Sequence, residues 1–326
     1  MKAIRIHEDG GPEVLRYEDA PDPEPADGDV LIRLRAASLN HLDVWVRKGL
    51  PSAPKPRILG ADGAGLVETA ANGFEAGQRV VVNPGVIEHG RMHVIGEAMD
   101  GTHAELIAVP ARNVYPIPDE LSFEEAAAFP LTFETAYRML VTKAGLRPDE
   151  TVFVWGIGGG VATSALAIAK ALGARVIVTS SSEAKLARAR ELGADEAIDH
   201  ATEDVRARMK ELTEGRGADV VVETVGDATW KTSLEVAAQQ GRIVVCGATS
   251  GPNPPAGLHR IWWKELTVHG STMGSAEDFE ACLDLVTSGR ARPVIDEVLP
   301  LADARAAHER LEAGEQLGKI VFSIPA

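Results

Sequence analysis

From Thr151 onward the chain alternates continuous apolar runs with amphipathic stretches, and that rhythm admits few folds. The apolar runs cover 152–155, 175–179, 219–223, 242–246 and 266–269. Between them, 161–172, 183–192, 203–212 and 229–238 carry apolar residues at helical spacing, and 194–199 supplies a further short run. A run that is apolar at nearly every position is buried on both faces, the mark of a parallel strand with helices above and below it. The pattern predicts an α/β unit built on a doubly wound parallel sheet.

The N-terminal third reads differently. Short β-like runs at 30–34, 65–68 and 79–82 are separated by turn signals such as Asp9-Gly10-Gly11-Pro12. Near Pro118 the texture changes, and Ser122 with Glu125 three residues on marks a helix over 122–128. The tail from Pro293 returns to strand, helix and strand. Two domains are expected: a mostly β domain from 1–118 with 290–326, and the doubly wound domain over 119–289. At 326 residues the chain is long enough to give each a core.

Charge and cysteine count narrow the function. A formal net charge of −15 with no basic tract argues against nucleic acid and anionic lipid as general partners. No stretch approaches the roughly 18 apolar residues of a membrane span. The first residues read as a polar strand rather than a signal peptide, so a cytoplasmic address is expected. Cys246 and Cys282 stand in apolar surroundings and read as buried thiols. Two cysteines cannot build a four-cysteine zinc site or a disulfide framework.

Gly156-Ile157-Gly158-Gly159-Gly160-Val161 follows an apolar run and opens a helical stretch. That is the context a dinucleotide site requires: glycine lets the backbone approach a pyrophosphate, and a helix N-terminus offers free N–H groups. Gly156, Gly159, Gly160 and Val161 are therefore candidate cofactor contacts. An NAD enzyme usually ends its second strand with an acid for the ribose 2′-OH. Here the strand end reads Thr179-Ser180-Ser181-Ser182-Glu183-Ala184-Lys185. Ser180, Ser181 and Lys185 suit a 2′-phosphate, so NADP(H) is expected ahead of NAD(H). A second reading stands beside it: Ser180 and Glu183 form a capping box, Lys185 is a solvated helix charge, and Glu183 disfavours a phosphate.

Several segments in fixed order carry a wider resemblance. They are 38–49 with Asn40, Asp43 and Arg47; Gly60-Ala61-Asp62-Gly63; 129–137 with Thr135; the glycine loop; Gly270-Ser271-Thr272-Met273-Gly274; and Gly318-Lys319-Ile320-Val321. Over essentially its whole length the chain resembles the medium-chain dehydrogenase/reductase superfamily, most closely the quinone oxidoreductase and zeta-crystallin branch. The resemblance implies a GroES-like mostly-β catalytic domain, a Rossmann domain and a cleft between them. Zinc alcohol dehydrogenases of this superfamily carry Cys at the position of Asn40, Gly-His-Glu at Gly60-Ala61-Asp62, and a relay hydroxyl at Leu42. A catalytic zinc needs three protein ligands, so no zinc is expected. His89 and His93, with Glu88, Glu97 and Asp100 nearby, read as a polar surface loop rather than a metal site.

Without a Lewis acid, hydride addition to an already electrophilic acceptor remains feasible. The expected function is NADPH-dependent reduction of a small-molecule quinone, enone or enal. The alternatives are an NAD(P)-dependent alcohol dehydrogenase and a cofactor-binding protein with a non-enzymatic role. Asn40 is the first catalytic candidate, because its amide N–H groups can meet a developing oxyanion; its other reading is a structural turn. Asp43 and Arg47 lie near the cleft by resemblance, while their i,i+4 spacing reads as a helix ion pair. His41 reads as a surface imidazole, and no proton donor stands out. The resemblance implies Thr135, Gly247, Ala248, Ser271 and Thr272 on the nicotinamide side and Val225 beside the adenosine. It sets Lys319 at a phosphate, with a solvated tail lysine as the equal alternative. It also implies a homodimer joined through the apolar sheet edge at 266–269.

Overall fold

The computed structural model describes residues 1–88 and 91–325. The chain opens with β1 (Lys2–Ile6), β2 (Arg16–Asp19), β3 (Asp29–Ser38), α1 (His41–Arg47), β4 (Arg57–Ile58) and β5 (Asp62–Val67). It continues through β6 (Arg79–Val82), β7 (Gly85–Glu88), β8 (Arg91–Val94), β9 (Leu106–Pro110), β10 (Val114–Pro116), α2 (Phe123–Ala128) and α3 (Pro130–Tyr137). The alternating half follows: β11 (Thr151–Val154), α4 (Gly160–Ala171), β12 (Arg175–Ser180), α5 (Glu183–Glu191), β13 (Glu196–Asp199), α6 (Val205–Leu212), β14 (Ala218–Glu223), α7 (Trp230–Val236), β15 (Ala237–Val245), α8 (Leu258–Trp263), β16 (Thr267–Gly270) and α9 (Ala276–Thr287). β17 (Ile295–Pro300), α10 (Ala304–Glu312) and β18 (Lys319–Ser323) close the chain. Two units result: residues 1–132 with 293–326, and residues 133–292.

In the second unit the strands run in the order β13-β12-β11-β14-β15-β16, and every neighbouring pair is parallel. The order reverses between β11 and β14, the place where such sheets open a crevice at their C-terminal ends. Phe153, Ile177, Val221 and Ile243 are fully buried and join one apolar cluster. The stretch 229–238, expected as one helix, splits: α7 stops at Val236 and β15 begins at once. Lys264 Nζ donates to the carbonyls of Leu234, Glu235 and Ala237, satisfying groups that a continuing helix would have bonded itself.

In the first unit the main sheet runs β10-β6-β5-β3-β18-β17, with β9 also paired to β3. Residues of β3, β6 and β9 contribute to its core with Ile320 and Phe322 of β18. The unit extends to residue 132, past the expected boundary at 118, because α2 lies against β3, β5 and β18. Its capping box forms as read, with Glu125 N donating to Ser122 Oγ at 3.1 Å.

Register fixes which polar residues meet in this unit. Ser38 lies opposite Asp62 of β5 and opposite Val321 of β18. Extending the β3–β18 pairing by two residues brings Asn40 opposite Lys319, and two residues is the period of one sheet face. The backbone bond from Leu39 N to Ile320 O at 3.0 Å holds that extension.

Candidate functional site

The loops that follow five strands of the second unit lie at the C-terminal end of one parallel sheet. They hold Gly156 after β11, Ser180 and Ser181 at and after the end of β12, Val225 after β14, Gly247 and Ala248 after β15, and Ser271 and Thr272 after β16. Gly156 has φ +60°, a left-handed conformation that favours glycine, and its N–H donates to Thr179 Oγ1 at 3.1 Å. No heavy atom lies within 4 Å of a Cβ built on Gly156 or on Gly159. Gly159 caps α4, and the N–H groups of Gly160, Val161 and Ala162 stand in its first turn, where no helical carbonyl precedes them. This open cradle ending in unpaired donors fits a pyrophosphate. Ser271 is buried, and its Oγ has no hydrogen-bond partner. Met273 beside it is held at φ +49°. Thr135 is buried within α3.

The end of β12 corrects one expectation. Ser182, not Ser180, caps α5, accepting from Lys185 N. Ser180 is buried and accepts from Ser182 N at 3.1 Å, so its own O–H remains a donor. Ser181 is exposed, and Lys185 is half-buried in the first turn of α5. Glu183, the acid that opposed a phosphate in the sequence reading, pairs with Arg190 at 3.1 Å.

The sequence reading missed Glu223. This acid ends β14 fully buried. Its carboxylate accepts from Val225 N at 2.8 Å, Gly226 N at 3.0 Å, Thr229 Oγ1 at 2.9 Å and Ser233 Oγ at 2.5 Å. Ser233 Oγ accepts in turn from Trp155 Nε1 at 2.8 Å. The signal was an acid closing the apolar run Val220-Val221-Val222. Cys246, expected buried, is half-buried just after β15; burial of its sulfur, with Glu223 nearby, pushes the thiol up to about 12.

The first unit gathers a different set. Asp62 accepts from Ser38 Oγ at 3.0 Å, Asn40 Nδ2 at 2.9 Å and Leu131 N at 2.9 Å, and pairs with Lys319 Nζ at 3.1 Å. Lys319 Nζ also donates to Asn40 Oδ1 at 2.5 Å. Lys319 is thus buried rather than a solvated tail residue. Asp43 and Arg47 do not pair with each other. Asp43 accepts from Asn40 N at 2.7 Å and Gly60 N at 3.0 Å, and burial pushes its carboxyl up against the opposing pull of His103. Arg47 is fully buried and donates to Gly10 O, His308 Nδ1 and Glu312 Oε2. Gly60 has φ +99°, and a Cβ there would stand 2.4 Å from the His103 ring. His41 is exposed at the start of α1.

His103 and His308 are both fully buried. Burial pushes each below the ordinary imidazole value, and His103 adds to the push on His308. Arg47 can only donate, so His308 Nδ1 accepts and its proton sits on Nε2; His103 Nε2 faces Ser38 O at 3.3 Å, so its proton sits there. Among the described residues no group of three His, Cys, Asp or Glu side chains converges to hold a metal ion. His89 lies outside the described residues. Among the described residues no helix is long and apolar enough to cross a membrane.

Comparison with known proteins agrees with both units. The family described as alcohol dehydrogenase GroES-like domain matches residues 26–119, and that described as zinc-binding dehydrogenase matches residues 160–288. A quinone oxidoreductase from Pseudomonas aeruginosa is 36% identical, over 98% of this chain and 99% of its own. A solved structure described as an NAD-dependent alcohol dehydrogenase is 42% identical with a TM-score of 0.96, covering 100% of both chains. A quinone oxidoreductase structure from Pseudomonas syringae is 35% identical with a TM-score of 0.88, covering 99% of both.

Proposed function

We propose a specific hydride-transfer reaction from one premise: the chain belongs to the medium-chain dehydrogenase/reductase superfamily, in its quinone oxidoreductase-like branch, and is an oxidoreductase. The reading is an NADPH-dependent reductase of quinones or other activated alkenes and carbonyls that works without zinc. The observation that carries it is the Asn40–Lys319–Asp62 cluster. Of the positions that zinc relatives use, one is an amide, one is the methyl of Ala61, and the carboxylate of Asp62 is already neutralised by a buried ammonium. A divalent cation bound there would face Lys319 with too few ligands.

When bound, the reduced nicotinamide supplies the hydride. The chain's own groups hold and orient. The first turn of α4 meets the pyrophosphate. Ser180, Ser181 and Lys185 meet the 2′-phosphate, with Glu183 restrained by Arg190. Thr135, Gly247, Ala248, Ser271 and Thr272 line the nicotinamide side, and Val225 the adenosine. Asn40 keeps one amide hydrogen beyond the one given to Asp62, and we assign that hydrogen to the acceptor oxygen as negative charge grows there. Asp43 positions Asn40 through its backbone N–H, and Arg47 ties α1 to α10. Lys319 serves Asn40 and Asp62 rather than a phosphate. Solvent delivers the proton.

An acceptor screen tests the reading: loss of reduced-nicotinamide absorbance with quinones, enones and enals, with and without chelator. Turnover that survives the chelator is expected. Lys185→Ala should weaken NADPH about tenfold and NADH hardly at all; equal weakening of both removes the 2′-phosphate assignment. The second reading is an NAD-linked alcohol dehydrogenase, favoured by the 42% identity to a structure so described. Alcohol oxidation with stoichiometric zinc would establish it in place of the first.

We also propose a homodimer through β16. It is the edge strand of its sheet, Val268 on it is exposed, and Trp262 and Trp263 of the preceding α8 are exposed too. Sedimentation velocity should give a two-chain mass, and a monomer at all concentrations would refute it.

A further inference from the structure

Burying an ionised carboxylate is costly unless it is fully hydrogen-bonded, and an apolar residue at the end of β14 would avoid that cost. Among the described residues Glu223 has no ion-pair partner; its carboxylate is held by backbone N–H groups and hydroxyls alone. Those donors lie on one stretch, from the turn after β14 into α7, and that stretch reaches two other loops. Val225 and Gly226 form the turn after β14, and Val225 O accepts from both Ser250 N and Ser250 Oγ at 2.7 Å in the loop after β15. Ser233 has a single hydroxyl hydrogen, donated to Glu223, so the Trp155 N–H must point at Ser233. Trp155 directly precedes Gly156. One carboxylate therefore ties the loops after β11, β14 and β15 together.

We infer that Glu223 is a positioning residue for cofactor binding. Its carboxylate holds the 224–226 turn and, through Ser233 and Trp155, the start of the glycine loop at the spacing a dinucleotide needs. The inference rests on reading this end of the sheet as the nicotinamide-dinucleotide site. Two substitutions cut the path from opposite sides. Glu223→Gln keeps an oxygen for the Val225 and Gly226 N–H groups but sets an amide against Ser233, whose hydrogen then lacks its acceptor. Ser233→Ala leaves the turn bonded and deprives Trp155 of its acceptor.

Isothermal titration of NADPH and NADH into wild type, both single variants and the double variant tests the link without recourse to turnover. Each single variant should raise the dissociation constant about tenfold, and the double variant should be no weaker than either, since both cut one path. Arg242→Ala, a destabilising change at the other end of the sheet, should leave the dissociation constant as in wild type. Far-UV circular dichroism identifies any variant that fails to fold, and the remaining single variant then decides. Wild-type affinity in Glu223→Gln, additive losses in the double variant, or equal weakening by Arg242→Ala would each overturn the inference. A wild type that binds neither cofactor would instead remove the cofactor reading, and the inference with it.

Discussion

The two ends of the second unit's sheet are built on opposite terms. Where the strands begin, charge meets charge. Glu150, just before β11, accepts from Arg242 at 2.6 and 3.1 Å and pairs with Arg147 at 2.6 Å. Burial pushes its carboxyl up, but those bonds more than offset this and hold it at about 2. Asp219 likewise takes Thr151 N and Arg216. Where the strands finish, Ser271 Oγ is unbonded, and Gly156 and Gly159 face open space. Folding completes one end and leaves the other to be completed by a ligand. An unbonded buried hydroxyl beside an open glycine cradle is a mark of function there.

The largest expected effect belongs to the paired end. Arg242→Ala leaves Glu150 short of a buried partner, which costs about 3–5 kcal/mol, read by urea unfolding. Cofactor affinity should not move; if it falls while stability holds, the division between the ends is wrong. The reverse pattern is expected of Gly156→Ala. Left-handed strain costs about 1–2 kcal/mol, yet the new methyl enters the cradle, and the NADPH dissociation constant should rise about 100-fold, or roughly 2.7 kcal/mol.

Acid carries the comparison from the ends of a sheet to the two units. His103 and His308 are held below the ordinary imidazole value, so the unfolded chain binds more protons than the folded one. Their contribution is complete above the unfolded value near 6.5 and declines as pH falls below it, by up to about 1.4 kcal/mol per pH unit for each histidine. Glu150 contributes above its unfolded value of 4.5 and loses that contribution only as pH falls towards about 2. Hydrogen exchange at pH 7.5 and pH 5.5, as roughly spaced points on this scale, should show the first unit loosening before the second. Simultaneous loosening would mean that the buried histidines do not set acid stability. The smallest effect is expected of Ser271→Ala. Its hydroxyl is buried without a partner, so its removal should leave the melting temperature unchanged or raised, while NADPH binding weakens about fivefold.

The alternating half of the fold was legible because strands covered on both faces are apolar throughout and helices between them keep their period. The glycine loop was legible for the same reason: its neighbours on both sides declared themselves. Partner choice was not. Asp43 and Arg47 read as an ion pair from their spacing, but Arg47 reaches His308 and Glu312 across 261 and 265 residues of sequence. No local pattern carries that information. Lys319 read either as a phosphate contact or as a solvated tail lysine, because nothing in its neighbourhood announces that β18 enters the sheet beside β3. The α5 cap moved from Ser180 to Ser182 because three consecutive serines offer the same chemistry, and only the strand's length decides between them. The helix α8, which exposes Trp262 and Trp263, was not expected.

Lys319 arrives late. A ribosome adding roughly 5–20 residues per second releases Asn40 some 279 residues before the lysine that will bond it, an interval of roughly 15–55 s. By then every strand of the second unit has been synthesised, while the strand that sits between β3 and β17 is still missing from the first. Throughout that interval Asp62 lacks its cation and the Ala36–Ser38 end of β3 lacks a neighbour, an open edge of the kind that recruits other chains. A chain cut short before β18 would keep every strand of the second unit's parallel sheet and still leave one edge of β3 open in the first.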